Sequence, residues 1–458
     1  MAGRQNLLLI TCHDLGRFLG CYGNATVGSP ALDALAAEGV RFTRAFCTAP
    51  QCSPSRASLF TGRYPHSNGV MGLTHAQFAW DLRADERHLG ELLREAGYTT
   101  ALAGVHHESR VGPPAAVAAR CGMDEIIAPH GMEEGVPQRH GEGLTDAALG
   151  WLDRVGGGER PWYLQIGYHE PHRVAARSRT EDGYMGFIGD SIAPDETRGI
   201  AMLPYLRDTA LARQELAELQ GAVRALDAAV GRLLAGLRER GLDGRTIILF
   251  TTDHGLALPR AKCSLYDPGL ETALILRTPG RGVAGGRTLD TLTSNIDLLP
   301  TLLELLGVPI PGGVQGRSLA PALTGGAFTP REAIFGEMTY HDYYDPRRCI
   351  RTARHKLIVN FTAAPGFMDP SQSWRPRTVT VEPSDPAVAY HPLLELYDLA
   401  DDPHEWRSLA DDPARAAIRE ELLGQLARWM RDTGDPLLAG AVTPPLHRMA
   451  LDALSEMR

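Results

Sequence analysis

Thr246-Ile247-Ile248-Leu249-Phe250-Thr251-Thr252-Asp253-His254-Gly255 is the stretch on which the fold turns. Its first seven residues are β-branched or apolar with no polar alternation, and the run then breaks into Asp-His-Gly. A strand with one wet face alternates polar and apolar side chains, whereas a strand covered on both faces reads as a continuous apolar run. The same form recurs twice. Leu7–Thr11 runs into Cys12-His13-Asp14, and Trp162–Tyr168 runs into His169-Glu170-Pro171-His172. Thr99–Ala103 reads as a shorter strand.

Helical patterns lie between these runs. Ser29-Pro30 opens one that passes through Leu32 and Leu35 to Gly39, because Ser caps well and Pro is tolerated in a first turn. Asp85–Ala96 places Leu89, Leu92 and Leu93 on one face, Leu211–Arg240 is long and rich in Ala, Leu, Glu and Arg, and Asp297–Leu306 is a further helix. Buried strands alternating with helices predict an α/β fold, a large, mixed but mostly parallel sheet sandwiched by helices. Ligands of such sheets gather beyond the carboxyl ends of the strands. Three strands here end in His with Asp or Glu.

Ala333–Phe335 reads as one more strand, and near residue 340 the pattern changes. Cys349–Phe361 suggests a hairpin and Glu395–Leu399 a strand, while Arg415–Arg431 is a helix with Ile418, Leu422, Leu423, Leu426 and Met430 on one face. The expected division is a catalytic domain over 1–340 and a C-terminal α+β subdomain over 341–458, with a small antiparallel sheet and a terminal helix. The Pro- and Ser-rich stretch from Ala363 to Pro392 reads as a loop, and Arg347, Arg348, Arg351 and Arg354 as a solvated strand edge.

A formal charge of −9 and a pI near 6.0 argue against a general nucleic-acid binder, which needs a basic face. No stretch reaches the roughly 20 apolar residues of a membrane span. The opening residues pass straight into the first strand, so a cytoplasmic location is expected. Cysteines 12, 21, 47, 52, 121, 263 and 349 have irregular spacings with no C-x-x-C pair, and read as isolated reduced thiols with one exception.

The exception is Cys52, in Cys52-Ser53-Pro54-Ser55-Arg56. A helix-compatible run from Ser55 to Phe60 puts it at a helix N-terminus, where free N–H groups and the helix dipole favour an anion. Arg56, one turn on, adds a guanidinium.

This string, continued by Ala57-Ser58-Leu59-Phe60-Thr61-Gly62-Arg63, resembles the signature of the type I, formylglycine-dependent sulfatase family of the alkaline-phosphatase-like superfamily. The likeness spans nearly the whole chain. Asn6–Gly16 resembles the family's first metal-binding strand, Gly104-Val105-His106-His107 its Gly-Lys-x-His, and Thr252-Asp253-His254-Gly255 its second metal turn. His169-Glu170-Pro171-His172 resembles its His-x-Pro-His, and Glu395-Leu396-Tyr397-Asp398-Leu399 with Asp402-Pro403-His404-Glu405 its closing motif. His169–Arg173 and Glu395–Tyr397 look most like the sulfamidase branch, which cleaves N-sulfoglucosamine.

The resemblance implies hydrolysis of a sulfate ester or sulfamate on a small anionic or sulfated-sugar substrate. Cys52 would be oxidised to formylglycine by a separate formylglycine-generating enzyme. Arg56, His107, His172 and Lys262 are the implied catalytic residues, with His169, His106 and Arg173 as further candidates. His13, Asp14, Cys52, Asp253 and His254 are the implied metal ligands. The family holds Ca²⁺ with oxygen donors, and two imidazoles would move the site toward Mn²⁺, Zn²⁺ or Fe²⁺. Val105 stands where the family has lysine, which leaves His106 or Lys262 to compensate and keeps a phosphonate monoester or phosphodiester hydrolase as a rival reading. A non-catalytic binder of sulfated or phosphorylated ligands is the rival of another class.

Overall fold

The computed structural model describes residues 4–110, 112–130, 141–175, 185–187, 192–364 and 390–455. Most of the expected loop from Ala363 to Pro392 lies outside the described residues. Eight strands make the central sheet: β1 (Asn6–Cys12), β2 (Val40–Phe42), β3 (Thr99–Val105), β4 (Glu125–His130), β5 (Trp162–Gly167), β6 (Thr246–Thr252), β7 (Leu274–Arg277) and β8 (Arg287–Leu289). Their spatial order is β8-β2-β7-β6-β1-β5-β3-β4. β7 runs antiparallel to both neighbours, and the other pairings are parallel. The mixed, mostly parallel α/β sheet read from the sequence is the observed one.

Helices cover both faces: α1 (Pro30–Glu38), α2 (Cys52–Thr61), α3 (Leu89–Glu95), α4 (Pro114–Cys121), α5 (Gly141–Val155), α6 (Ala210–Glu239) and α7 (Leu298–Leu306). Successive strand residues point to opposite faces. Leu8 and Ile10 of β1 therefore join the core with α1, α5 and α6, while Leu7 and Leu9 join the core with α2, α3 and α7. This double burial explains the unbroken apolar runs.

Register positions the site. Cys12 of β1 lies opposite Thr252 of β6, and Thr11 lies opposite Gly167 of β5. The turns that follow these three strands, carrying His13-Asp14, Asp253-His254 and His169–His172, therefore emerge side by side.

Local details depart from the sequence reading. Only Leu89–Glu95 of the expected helix from Asp85 is helical, because the His88 ring caps it by accepting the Gly90 N–H at 3.0 Å. Ser29 makes no side-chain cap to α1. Asp227 on α6 does so instead, accepting the N–H groups of Ala31 at 3.0 Å and Leu32 at 2.8 Å.

The second sheet is antiparallel and contains β9 (Ala333–Tyr340), β10 (Tyr344–Thr352), β11 (His355–Asn360) and β12 (Leu394–Asp398) in sequence order. The expected boundary at 340 falls at the β9–β10 turn, and β9 already belongs to the small sheet through its pairing of Ala333 with Thr352. One face of this sheet packs Ile350, Leu357 and Leu396 on Leu422, Leu426, Trp429 and Met430 of α8 (Ala416–Thr433). The other face packs Ile334, Met338, Cys349, Ile358 and Tyr397 on Phe46, Cys47, Cys263, Leu265, Tyr266 and Leu270. The small sheet thus backs the loop that carries Lys262.

The arginine run is not a solvated edge. β10 is an inner strand, and Arg347, Arg348 and Arg351 are buried against Asp345, Asp435 and Asp267 respectively. Arg354 alone of the four is half-exposed, on Asp398. No helix among the described residues is long and apolar enough to cross a membrane.

Replacing the α1 cap by Asp227→Ala should lower stability by about 1 kcal/mol, the usual value of a lost N-cap. Urea denaturation should show the earlier midpoint, with specific activity of the folded protein unchanged.

Candidate active site

Two buried carboxylates set the electrostatics. Asp14 follows β1 and Asp253 follows β6, and both are fully buried. Asp14 has a positive φ of 50°, a conformation that Asp tolerates better than most residues because of its short polar side chain. Its backbone N–H donates to Asp253 Oδ1 at 3.0 Å, and the His254 N–H donates to the same oxygen at 2.9 Å. The turn closes tightly: a Cβ on Gly255 would stand 1.8 Å from the Pro268 carbonyl oxygen, so only glycine fits there.

Cations surround the pair. Arg56 donates through Nε to Asp253 Oδ2 at 3.2 Å, through Nη1 to Thr11 Oγ1 at 2.9 Å, and through Nη2 to the Cys12 carbonyl at 3.3 Å. Lys262 Nζ donates to both Asp14 oxygens, at 3.0 and 2.9 Å, and lies 3.6 Å from Cys52 Sγ. Burial alone would raise the Asp14 carboxyl, but Lys262, His172 and His254 outweigh it and hold it well below its ordinary value. Burial likewise opposes ionisation of Asp253, and His254, His13 and Arg56 overcome it.

Cys52 is the first residue of α2 and is buried. Its sulfur lies 3.4 Å from His254 Nε2. Burial would raise the thiol, yet Lys262 and the hydrogen-bonding rings of His107, His13 and His254 bring it well below its ordinary value. The position is built for a negative charge. Asn295 fixes the helix start by donating to the Ser55 carbonyl at 3.0 Å.

Histidines form the walls. His13 packs at 5.2 Å from the rings of both His107 and His172, and His169 lies 4.9 Å from His172. His172 donates from Nδ1 to the Arg173 carbonyl at 2.7 Å, which turns Nε2 toward Asp14 Oδ2 at 3.7 Å. Burial draws His172 down to about 4, Asp14 opposing and Lys262 and His13 assisting.

The positions expected from the sequence, His13, Asp14, Cys52, Arg56, His107, His172, Asp253, His254 and Lys262, thus meet in one buried cluster. Two further candidates do not. His106 turns away to Ser109 Oγ at 2.9 Å and Cys121 Sγ at 3.5 Å, which leaves Lys262 as the cation beside Cys52. Arg173 donates to the Ala257 carbonyl at 2.9 Å and pairs with buried Glu215. Sequence reading missed Thr11, Asn295 and His75. His75 stacks on His107 at 4.2 Å from a loop with no periodic signal.

The donor set fits a divalent cation. Donor atoms of Asp14, Cys52, Asp253 and His254 all lie within 4.8 Å of one another, as do those of His13, Asp14, Cys52 and His172. His13 Nε2 is buried with no hydrogen-bond partner.

The sulfatase family model matches residues 5–308, two thirds of the chain. The chain belongs to the sulfatase family, the sulfuric ester hydrolases. A second model, for the C-terminal region of N-sulphoglucosamine sulphohydrolase, matches residues 258–369 of this sulfatase. Human N-sulphoglucosamine sulphohydrolase is 31% identical over 94% of this chain and 91% of its own. Human arylsulfatase A is 31% identical over 88% and 83%. Among solved structures, a 2-O GAG sulfatase superposes with a TM-score of 0.70 at 22% identity, covering 95% of this chain and 94% of that one. The phosphonate monoester hydrolase of Silicibacter pomeroyi superposes at 0.67 and 23% identity, covering 94% and 96%. These two likenesses speak to the fold.

Arg56→Met would leave the Asp253 carboxylate buried without its guanidinium. Breaking such a pair costs about 3–5 kcal/mol. Thermal unfolding should therefore move down by many degrees, and an unchanged midpoint would mean that the pair contributes little.

Proposed function

We propose that this sulfatase hydrolyses sulfate esters or sulfamates of small sugar-like substrates, with formylglycine made from Cys52 as its nucleophile. The observation that carries this reading is the convergence on one sulfur atom, Cys52 Sγ, of a helix N-terminus, the Lys262 ammonium at 3.6 Å and the His254 ring at 3.4 Å. Sulfur transfer builds negative charge on non-bridging oxygens, and preorganised positive groups stabilise it.

Residue 52, once oxidised by a separate maturation enzyme, supplies the attacking oxygen at the place that Sγ marks. Asp14, Asp253, His254 and His13 would hold a divalent cation, whose chemistry is to neutralise charge on the sulfate oxygens. Lys262 holds an oxyanion beside residue 52. His107 lies within hydrogen-bonding reach of the residue 52 side chain and takes the proton that the second hydroxyl releases when sulfate departs. His172, its ring fixed through Nδ1, presents Nε2 to the leaving alcohol or amine. Burial keeps that nitrogen unprotonated near pH 7, and an incoming anionic sulfate raises its proton affinity, so that Nε2 takes up a proton from solvent as substrate binds and passes it to the leaving atom.

The relationship to N-sulphoglucosamine sulphohydrolase over nearly full length supports an N-sulfated amino sugar as the first substrate to try. Val105 and the two imidazoles His13 and His254 favour one alternative, a phosphonate monoester or phosphodiester substrate. Side-by-side turnover of aryl sulfate, N-sulfoglucosamine and aryl phosphonate monoester separates the readings. Higher kcat/KM on either sulfur substrate is expected, and a phosphonate preference would overturn the proposed class. Cys52→Ala should abolish turnover with the far-ultraviolet circular dichroism unchanged. Peptide mass spectrometry of active enzyme should find residue 52 as formylglycine, and full activity with an intact thiol would contradict the mechanism.

A further inference from the structure

The hydrogen bonds of His254 fix which of its nitrogens carries a proton. Nδ1 lies 2.9 Å from the Gly255 carbonyl oxygen. A carbonyl only accepts, so Nδ1 bears the hydrogen and a neutral ring keeps a lone pair on Nε2. That lone pair faces two more electron-rich atoms, Asp14 Oδ1 at 3.1 Å and Cys52 Sγ at 3.4 Å. Lys262 Nζ meets two of these atoms, Asp14 Oδ1 at 3.0 Å and Cys52 Sγ at 3.6 Å, but no bond from it to His254 Nε2 is seen, so that nitrogen faces them with either a second proton or a shared cation. An N–H bonded to a backbone carbonyl is also the usual outer support of a metal-ligating imidazole, because it fixes the ring and makes the other nitrogen more basic.

His13 adds a second imidazole. It is fully buried, its Nδ1 is 3.0 Å from Asp253 Oδ2 and 3.9 Å from Asp14 Oδ1, and Nε2 has no hydrogen-bond partner. The Asp253 carboxylate divides its work: Oδ1 accepts the backbone N–H groups of Asp14 and His254, while Oδ2 is turned to Arg56 and His13. Donors that share an ion at about 2.0–2.2 Å stand about 3.0–3.5 Å apart. The two edges at His254 Nε2, 3.1 Å to Asp14 Oδ1 and 3.4 Å to Cys52 Sγ, fall in that range, and donor atoms of Asp14, Cys52, Asp253 and His254 all lie within 4.8 Å of one another.

From this we infer that the cation of the proposed hydrolytic site is a nitrogen-seeking transition metal, of the Mn²⁺, Fe²⁺ or Zn²⁺ class, held by His254 Nε2 together with Asp14 and Asp253 with His13 beside them, and that Ca²⁺ is not its resident ion. Calcium takes six to eight oxygen donors, and an imidazole is a poor substitute for one of them. Borderline divalent ions accept imidazole and carboxylate together. The inference rests on the hydrolase reading for the site's purpose, but the choice of ion is a separate question.

The test uses the Cys52→Ala chain, so that no residual thiolate at position 52 biases the ion. The metal-stripped protein is dialysed against equal concentrations of Ca²⁺, Mn²⁺ and Zn²⁺, and bound metal is measured by plasma mass spectrometry. Close to one equivalent of Mn²⁺ or Zn²⁺ per chain, persisting against a thousandfold excess of Ca²⁺, is expected. In the same background, His254→Asn replaces the imidazole by an amide oxygen. It should lower the preference for Zn²⁺ over Ca²⁺ at least tenfold while a cation still binds, which distinguishes lost selectivity from a lost fold. Retention of Ca²⁺ by the parent, retention of no cation, or unchanged selectivity in His254→Asn would each overturn the inference. Sulfate ester hydrolysis by the Cys52-containing enzyme loaded with Ca²⁺ would do so while leaving the hydrolase reading intact.

Discussion

Two carboxylates buried at the ends of neighbouring parallel strands are the constraint from which the rest of this molecule follows. The β1–β6 register sets Cys12 against Thr252, and with that pairing Asp14 and Asp253 must emerge together, away from water. Like charges buried so close are unfavourable unless positive groups meet them. The chain meets them with Arg56 from α2 on Asp253 and Lys262 from the loop after β6 on Asp14, while the rings of His13 and His254 from the turns themselves lie against both. Of these groups, Lys262 and His254 also face residue 52. Folding and chemistry therefore use the same charges.

The small domain contributes by bracing that loop. Lys262 lies on the segment leading to Asp267, and Asp267 is tied to Lys356 at 2.6 Å and Arg351 at 2.8 Å from the small sheet. Glu405, beyond β12, pairs with Lys356 at 2.7 Å and accepts the Asp267 N–H. Cys263, Leu265 and Tyr266 pack on the sheet's other residues. A lysine on an unbraced loop would lose several kilocalories of positional order through side-chain and backbone freedom. Here its ammonium is held between Asp14 and Cys52.

The sequence was most legible where local pattern and burial agree. The run at Thr246–Thr252 is a strand over those same residues, and Cys52 opens a helix as the motif around it suggests. Strand ends rich in His and Asp located the pocket because parallel sheets gather their carboxyl ends on one side. What escaped notice depends on pairings across the chain. Asp227 caps a helix nearly two hundred residues away, a service that Ser29 looked able to perform. β9 read as a short strand of the large domain because its partner, β10, lies beyond a turn whose register no local pattern encodes. Arg347, Arg348 and Arg351 read as solvated because their acids, Asp345 apart, are distant in sequence. His75 had no signal at all, since its meaning lies in the ring of His107 above it.

The account stands on a cation occupying the space between the ends of β1 and β6. Anomalous diffraction from crystals of active enzyme, collected on both sides of the absorption edge of the metal found in it, tests this most directly. The predicted result is one peak within ligand distance of Asp14, Asp253, His254 and residue 52. An active crystal with no such peak, in which Lys262 alone bridges Asp14 and residue 52, would contradict it.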